Sequence, residues 1–307
     1  MRESRFMMGT LVEFTIHGAP REQAMQAIKA ASEAMQQAAD TLTIYGDIEN
    51  EVKAFNASTP DSPVLLPEAV SALLDQARDI ERKSHGAFSP SLGGLSLLWG
   101  FSGESQRNQP PTANEIREAL AGTGPERIRR ADAPPHTWLR LHPQTKLDFG
   151  GIGKGYAIDR GIAALKAHGI NHALINAGGD LRAIGRHGER PWRIGIKHPR
   201  QPGEILATLE LEGDVSVVTS GDYERFFIDQ GRRYHHILDP KNGWPADKSQ
   251  SVTVIANNAM LADAWSTALF VLGTRGFALL EDQHMDGLVV DAQGNLHMTV
   301  GMQARLQ

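Results

Sequence analysis

After residue 138 the chain stops reading like a helical protein. Short apolar runs follow one another too closely for helices to fit between most of them: "WLRLH", "TKLDF", "HALINAG", "LRAIG", "WRIGIKH", "ILATLELEG", "VSVVTSG", "ERFFI", "RYHHIL" and "SVTVIA". Runs of this length, rich in β-branched residues and bounded by Gly, Asn and Asp, read as strands. The first half reads differently. One strand, "TLVEFTIHG", comes first. Pro20 then opens an alanine-rich helix to about Ala39, Pro67 opens a second that Gly86 stops, and "ANEIREALAG" forms a short third. The segments "ESQRNQPPTA" and "RRADAPPHT" read as polar loops. One helix interrupts the strands at Tyr156 to His168, and one or two follow between Met260 and Gln283. Front-loaded helices and back-loaded strands leave few βαβ units. That order favours an α+β fold, with mostly antiparallel strands in the C-terminal half, over a doubly wound parallel sheet. No repeat or linker forces a boundary, so residues 1–307 read as one large mixed domain, with two intertwined subdomains as the alternative.

The sequence contains no cysteine, which excludes disulfides, thiolate metal sites and cysteine nucleophiles. A formal net charge of −5 argues against nucleic acid as the main partner, because phosphate contacts need a basic surface. No run of about 18 apolar residues suggests a membrane span.

The densest chemical signal is "DFGGIGKGYAIDR", Asp148 to Arg160. A Walker loop would need a glycine where Asp148 stands and a hydroxyl where Gly155 stands. A dinucleotide fingerprint would need a third glycine where Tyr156 stands. Both motifs fail. What survives is a glycine-rich turn into a helix, whose free N–H groups and positive dipole end suit an anion, with Lys154 adding a full charge. The plainer reading is a tight turn with a surface lysine. "INAGGD" reads as a hairpin or bulge, and "VVTSGDYERFF" ends a strand in a hydroxyl-bearing turn. In "RYHHILDP", His235 and His236 point to opposite faces of a strand, so one can face a cleft. In the apolar helix after Asn257, Asp263 and Thr267 share a face at i and i+4. A carboxylate and a hydroxyl so placed suit a hard cation such as Mg²⁺. The alternative is Asp263 serving the helix dipole while Thr267 bonds back to the backbone.

Taken in order, "MGT", "TIYGD…AFN", "D-x-GGI-x-KGYA-x-D", "N-x-GGD", "TSGDYERFF", "HHI-x-DP-x-x-G-x-P" and "AD-x-x-x-TALFVLG" resemble the FAD:protein FMN transferase family, also called ApbE, from Met8 to about Gly273. The resemblance implies a domain of that fold that uses FAD as substrate and a divalent metal, usually Mg²⁺. It implies transfer of FMN, through its phosphate, to a Thr or Ser of a flavin-carrying redox protein, with AMP leaving. FAD hydrolysis and flavin delivery without turnover are the alternatives. By the same resemblance Met8 and Tyr45 contact FAD, and Ala87, Phe88 and Ser89 line the adenine and ribose side. Asp148, Gly151 and Lys154 surround the pyrophosphate. The Gly153 carbonyl, Asp263 and Thr267 hold the metal. His236 lies beside the pyrophosphate with Ile237 on the flavin, and Asp180, Ser220 and Tyr223 fall around the same cleft. Either His236 or Asp263 serves as base. Four positions depart from the frequent family pattern: Asn50, Lys53 and Ala54 stand at the Ser, Ser and Arg of "S-E-x-S-R-F-N", and Ser89 stands where Asp is frequent. A homodimer is compatible with the family. With no leader in view the chain reads as cytoplasmic, whereas relatives exported after removal of a leader are periplasmic.

Overall fold

A computed structural model describes residues 1–101, 107–132 and 134–306. The residues 102–106 of the expected loop, and residue 133 of the next, lie outside the described residues. The main sheet has eight strands: β1 (Arg2–Met7), β2 (Thr10–Ile16), β3 (Ala173–Ala177), β4 (Asp180–Ile184), β5 (Val215–Gly221), β6 (Ser249–Ala256), β7 (Asp286–Asp291) and β8 (Leu296–Met298). Their spatial order is their chain order, and every pairing is antiparallel. The sheet therefore joins the two ends of the sequence, with the long helical insertion after β2 folded against one face.

Both faces of the central strands are covered, which explains the near-continuous apolar runs in β5 and β6. On one face Val218, Val252, Val254 and Val289 pack with helices. On the other, Val217, Ile255, Leu288 and Val290 pack under a ribbon formed by Trp192–Lys197 and Ile205–Leu211. Four helices carry the first face: α1 (Arg21–Leu42), α2 (Glu68–Lys83), α3 (Gly153–Ala167) and α4 (Ala259–Leu272). Met35 of α1 and Ile158, Ile162 and Leu165 of α3 meet Phe14 and Ile175 of the sheet in one buried cluster.

Most expected elements form, with local corrections. "TKLDF" is not a strand. Lys146 makes one isolated bridge with Leu92, and the side chain of Asn56 satisfies the backbone of Leu147, accepting from its N–H at 2.6 Å and donating to its carbonyl at 2.9 Å. A side-chain amide thus replaces a strand partner. The helix expected from Tyr156 begins at Gly153. β1, β7 and β8 had no expected counterpart; β1 shows only partial burial along "RESRFM" and carries few β-branched residues.

Helices α3 and α4 cap one another. The Asp159 carboxylate accepts from the Ala259 and Met260 N–H groups, both at 2.9 Å, at the start of α4. The Asp263 carboxylate accepts from Gly155 N–H at 2.9 Å in the first turn of α3. A carboxylate at a helix N-terminus satisfies orphan donors and the dipole together. The contact needs Gly155: a Cβ there would lie 2.1 Å from the Ala259 carbonyl oxygen. Gly161 is also crowded, but by the Met35 side chain, whose Sδ would stand 2.8 Å away. Backbone cannot yield as a thioether can. Gly155→Ala should cost about 3 kcal/mol or more of unfolding free energy and Gly161→Ala about 1–2 kcal/mol. Urea denaturation of the two variants checks the order, and equal costs would contradict it.

Candidate active site

Where α3 and α4 meet the C-terminal end of β5, a cleft of about 720 Å³ opens and continues into a chamber of about 310 Å³. Three hairpins and one helix start supply its walls. The two-residue turn between β1 and β2 places Met8 and Gly9 at the rim, at φ 52° and 70°. Two positive φ values in a two-residue loop are what a right-twisted hairpin needs. The turn between β3 and β4, Gly178–Gly179, is held by Gly179 N–H donating to Asn176 Oδ1 at 2.9 Å. This is the hairpin that "INAGGD" implied. The third hairpin, Phe226–Asp229 paired with Arg232–His235, brings Glu224, Arg225, Phe226 and Phe227 to the cleft.

The fourth wall carries the acidic and basic groups. Lys154 Nζ lies 2.7 Å from Asp180 Oδ2, and Asp180 also accepts from Thr219 N–H at 3.2 Å. Asp180 first, and Asp263 next, hold the Lys154 ammonium above its ordinary range, outweighing its burial. Lys154 is therefore tied to the protein rather than standing as a free charge. Asp263 is 6% exposed. Burial, then repulsion from Asp180, pushes its carboxyl up to about 7, while Lys154 and Gly155 N–H oppose this. Asp263 does not serve its own helix: it caps α3. Thr267 does not bond back to the backbone; Ser266 Oγ takes the Asp263 carbonyl instead, at 2.8 Å. Thr267 Oγ1 stays without a hydrogen bond among the described residues, and a Cβ on Gly151 would lie 3.1 Å from it. At the start of α3, the N–H of Lys154 likewise has no partner among the described residues, one of the donors that any helix start leaves open.

Among the described residues no three His, Asp or Glu side chains group as a metal site. The oxygen set is instead mixed: the Asp263 carboxylate, with a single N–H donor, and the unpartnered Thr267 hydroxyl, both facing the chamber. Hard cations accept such carboxylate, hydroxyl and carbonyl oxygens, so the residues fit a divalent ion of that kind.

The two histidines separate as expected. His235 is buried, accepts from Ile237 N–H at Nδ1 and donates from Nε2 to the Ala246 carbonyl at 2.8 Å. Burial lowers its pKa, and its role is structural. His236 faces the chamber. Its Nδ1 lies 3.4 Å from the Arg225 carbonyl, which can only accept, so the proton sits on Nδ1 and the lone pair on Nε2. Burial, then Arg225 and His235, pushes its pKa down to about 3, keeping the ring neutral.

Of the residues singled out from sequence, Met8, Tyr45, Phe88, Ser89, Asp148, Gly151, Gly153, Lys154, Asp180, Ser220, His236, Ile237, Asp263 and Thr267 line the cleft or its chamber. Two do not. Ala87 is buried in the core behind Phe88. Tyr223 folds back over Gly221, where a Cβ would stand 2.4 Å from its ring, and burial raises its pKa. Sequence reading missed Asp159, Glu224, Arg225 and Phe227. The regular spacing of Asp159 from the glycine turn was visible, but its partners lie a hundred residues away.

Asp263 and Glu81, a second buried carboxylate with its pKa pushed up to about 7 by burial, share a pH consequence. Both bind a proton more tightly folded than unfolded. Their contribution to stability is full below about pH 4 and lost as pH rises through about 7. Metal-free protein should therefore melt lower at pH 8 than at pH 5, and Asp263→Asn should remove part of that difference. A melting temperature equally pH-dependent in the variant would contradict the assignment.

The family model described as the ApbE family matches residues 8–290. An FAD:protein FMN transferase of Rhodobacter capsulatus is 32% identical over 99% of this chain, which spans 58% of that relative's length. One of Treponema pallidum (strain Nichols) is 32% identical over 99% of this chain and 88% of its own. The solved ApbE protein of Thermotoga maritima MSB8 superposes with a TM-score of 0.90 at 33% identity, over 100% of this chain and 99% of the other. The apo form of the Pseudomonas stutzeri flavinyl transferase ApbE gives 0.85 at 31% identity, over 99% and 96%.

Proposed function

The chain belongs to the ApbE family, and from that premise we propose that it is a transferase that moves the FMN half of FAD onto a hydroxyl of an acceptor protein. The observation that carries this reading is the convergence of Asp263, Thr267, the Lys154 ammonium and the open Lys154 N–H at the start of α3 on one wall of a cleft. A volume of about 720 Å³ falls in the range of ligand sites.

The residues divide the work. The N–H groups of α3 and the Lys154 ammonium offer fixed positive potential to a pyrophosphate. Asp263, Thr267 and the Gly153 carbonyl would hold a divalent cation such as Mg²⁺. That ion supplies charge neutralisation where the pyrophosphate oxygens gather negative charge. The acceptor Ser or Thr oxygen attacks the phosphorus on the riboflavin side. The bond from that phosphorus to the AMP phosphate oxygen breaks, AMP leaves with the electron pair, and a phosphoester joins FMN to the acceptor. The hydroxyl proton passes to His236 Nε2, the nitrogen that the Arg225 carbonyl leaves unprotonated. By proton affinity Asp263, raised to about 7, would be the stronger base, but one of its oxygens is committed to Gly155 N–H and the carboxylate would serve the cation, which leaves the proton to His236. Met8, Tyr45 and Phe227 bound the wider part of the cleft, where planar rings fit.

Incubation with FAD, Mg²⁺ and an acceptor fragment should add the mass of one FMN to the acceptor and release AMP. FMN and AMP with an unmodified acceptor would assign hydrolysis instead, and retention of FAD without AMP would reject both. Asp263→Ala should lower turnover by about two to three orders of magnitude, and His236→Gln by about two or more with FAD still bound. Undiminished turnover in Asp263→Ala would reject the cation site.

A further inference from the structure

Glu81 is an ionisable group that the reaction does not use. It sits in the last turn of α2, 2% exposed. The Ser89 hydroxyl donates to its Oε1. Ser89 Oγ lies 2.9 Å from Ser91 Oγ, and Ser91 Oγ accepts from Gly124 N–H at 2.9 Å. Ser89 also accepts from Ser91 N–H at 3.3 Å. Both serines are themselves buried, yet Ser89 lines the inner chamber. The same segment is pinned at both ends, by Phe88 N–H to Ser84 Oγ at 3.2 Å and by Asp148 N–H to the Pro90 carbonyl at 2.9 Å. The hydroxyl chain therefore cannot adjust by moving, only by turning its protons: Ser91 keeps its acceptor role to Gly124 N–H at 2.9 Å, since the alternative donation to the Gly124 carbonyl is long at 3.5 Å, so the hydroxyl left to turn is that of Ser89.

We propose that Glu81 is a positioning residue for FAD: through its own protonation it decides whether Ser89 offers a proton to an acceptor atom of the substrate held in the inner chamber. This rests on the reading that FAD occupies the cleft. With Glu81 ionised, donors run in one direction, from Gly124 N–H to Ser91, to Ser89, to the carboxylate. Ser89 then spends its only proton on Glu81 and its lone pairs on Ser91, and has nothing for the ligand. With Glu81 protonated, the carboxyl donates to Ser89. The Ser89 proton is freed and can turn into the chamber, towards a ring nitrogen or a sugar oxygen. The groups facing Glu81 are Ser89, Arg78 on its own helix and Glu126 from the turn Pro125–Arg127. Burial raises the carboxyl most, Ser89 and Arg78 lower it and Glu126 raises it, leaving it near 7.

The test measures the FAD dissociation constant by flavin fluorescence at pH 6 and pH 8, with saturating Mg²⁺ and no acceptor. One hydrogen bond gained corresponds to a change of about fivefold. Wild type should bind about fivefold more weakly at pH 8. Glu81→Gln, whose amide donates at every pH, should keep the tighter value at both. Ser89→Ala should keep the weaker value at both. Any pH effect at Asp263 is common to the three proteins, so each variant is read as its ratio to wild type at the same pH. Glu81→Gln that weakens binding equally at both pH values, or that retains the wild-type pH dependence, overturns the proposal. Absence of FAD binding by wild type at both values would instead reject the function on which it rests.

Discussion

The reciprocal capping of α3 and α4 is the interaction on which the rest of the site depends. Two helices that start beside each other would present two clusters of orphan N–H groups and two positive dipole ends in one place. Asp159 and Asp263 each resolve the other helix's start. The pair closes only because Gly155 lets the Ala259 carbonyl come within a distance that any Cβ would forbid. The exchange is unequal, and the inequality is functional. Asp159 spends both oxygens on α4 and also pairs with Arg182 at 2.6 Å, so that end is closed. Asp263 spends one oxygen on α3, leaving the other and the Lys154 N–H open to the cleft. A structural cap on one side thus leaves, on the other, a carboxylate oxygen and an N–H open to the cleft, the groups the proposed cation and pyrophosphate would use.

Electrostatics follows from this asymmetry. Asp180 and Asp263 stand on either side of Lys154, and both are buried. Burial, and then the second carboxylate of Asp180, raise the Asp263 carboxyl despite the Lys154 ammonium and the Gly155 N–H donor. A hard divalent ion at Asp263 and Thr267 would offset the two carboxylates, and a pyrophosphate would then restore the opposite charge. On the proposed function, cation and substrate would therefore support each other in this wall. Lys154 orients Asp180 as much as it faces a ligand.

How far the sequence disclosed this depends on the distance over which each feature is encoded. Strands with β-branched runs, the proline-opened helices and the glycine turn were legible, because each is settled by a window of ten or so residues. The i, i+4 pair Asp263 and Thr267 was legible as a shared face, and the alternation of His235 and His236 correctly sent one ring to the core and one to the chamber. "TKLDF" misled because its backbone partner is the Asn56 side chain, ninety-one residues earlier, and no periodicity records that. Ala87 and Tyr223 belong to the right segments but point away from the cleft, one into the core and one over Gly221. The reciprocal caps were invisible for the same reason as Asn56: a carboxylate at helical spacing looks like any solvated face until its partner helix is in place.

The two sides of the cleft differ in how they are held, and this has a mechanistic consequence. The α3–α4 wall is fixed by buried caps and a glycine contact. The opposite side is the two-stranded ribbon flanked by Arg225 and His236, with Phe226 and Phe227 at the cleft and Ile228 exposed. That ribbon is anchored at its base by Asp222, which receives Arg200 through two bonds at 2.7 and 2.6 Å and Arg233 at 3.3 Å. Inside, Phe227 and Tyr234 stack with ring centroids 5.3 Å apart, against Trp99. Under the proposed reaction the groups that would hold a cation, Asp263 and Thr267, lie on the capped wall. The proposed base, His236, directly follows the second strand of the ribbon and faces the inner chamber. Charge stabilisation depends on preorganisation, whereas proton removal depends on reach to a nucleophile that arrives on another protein. The fold places each task on the kind of element suited to it.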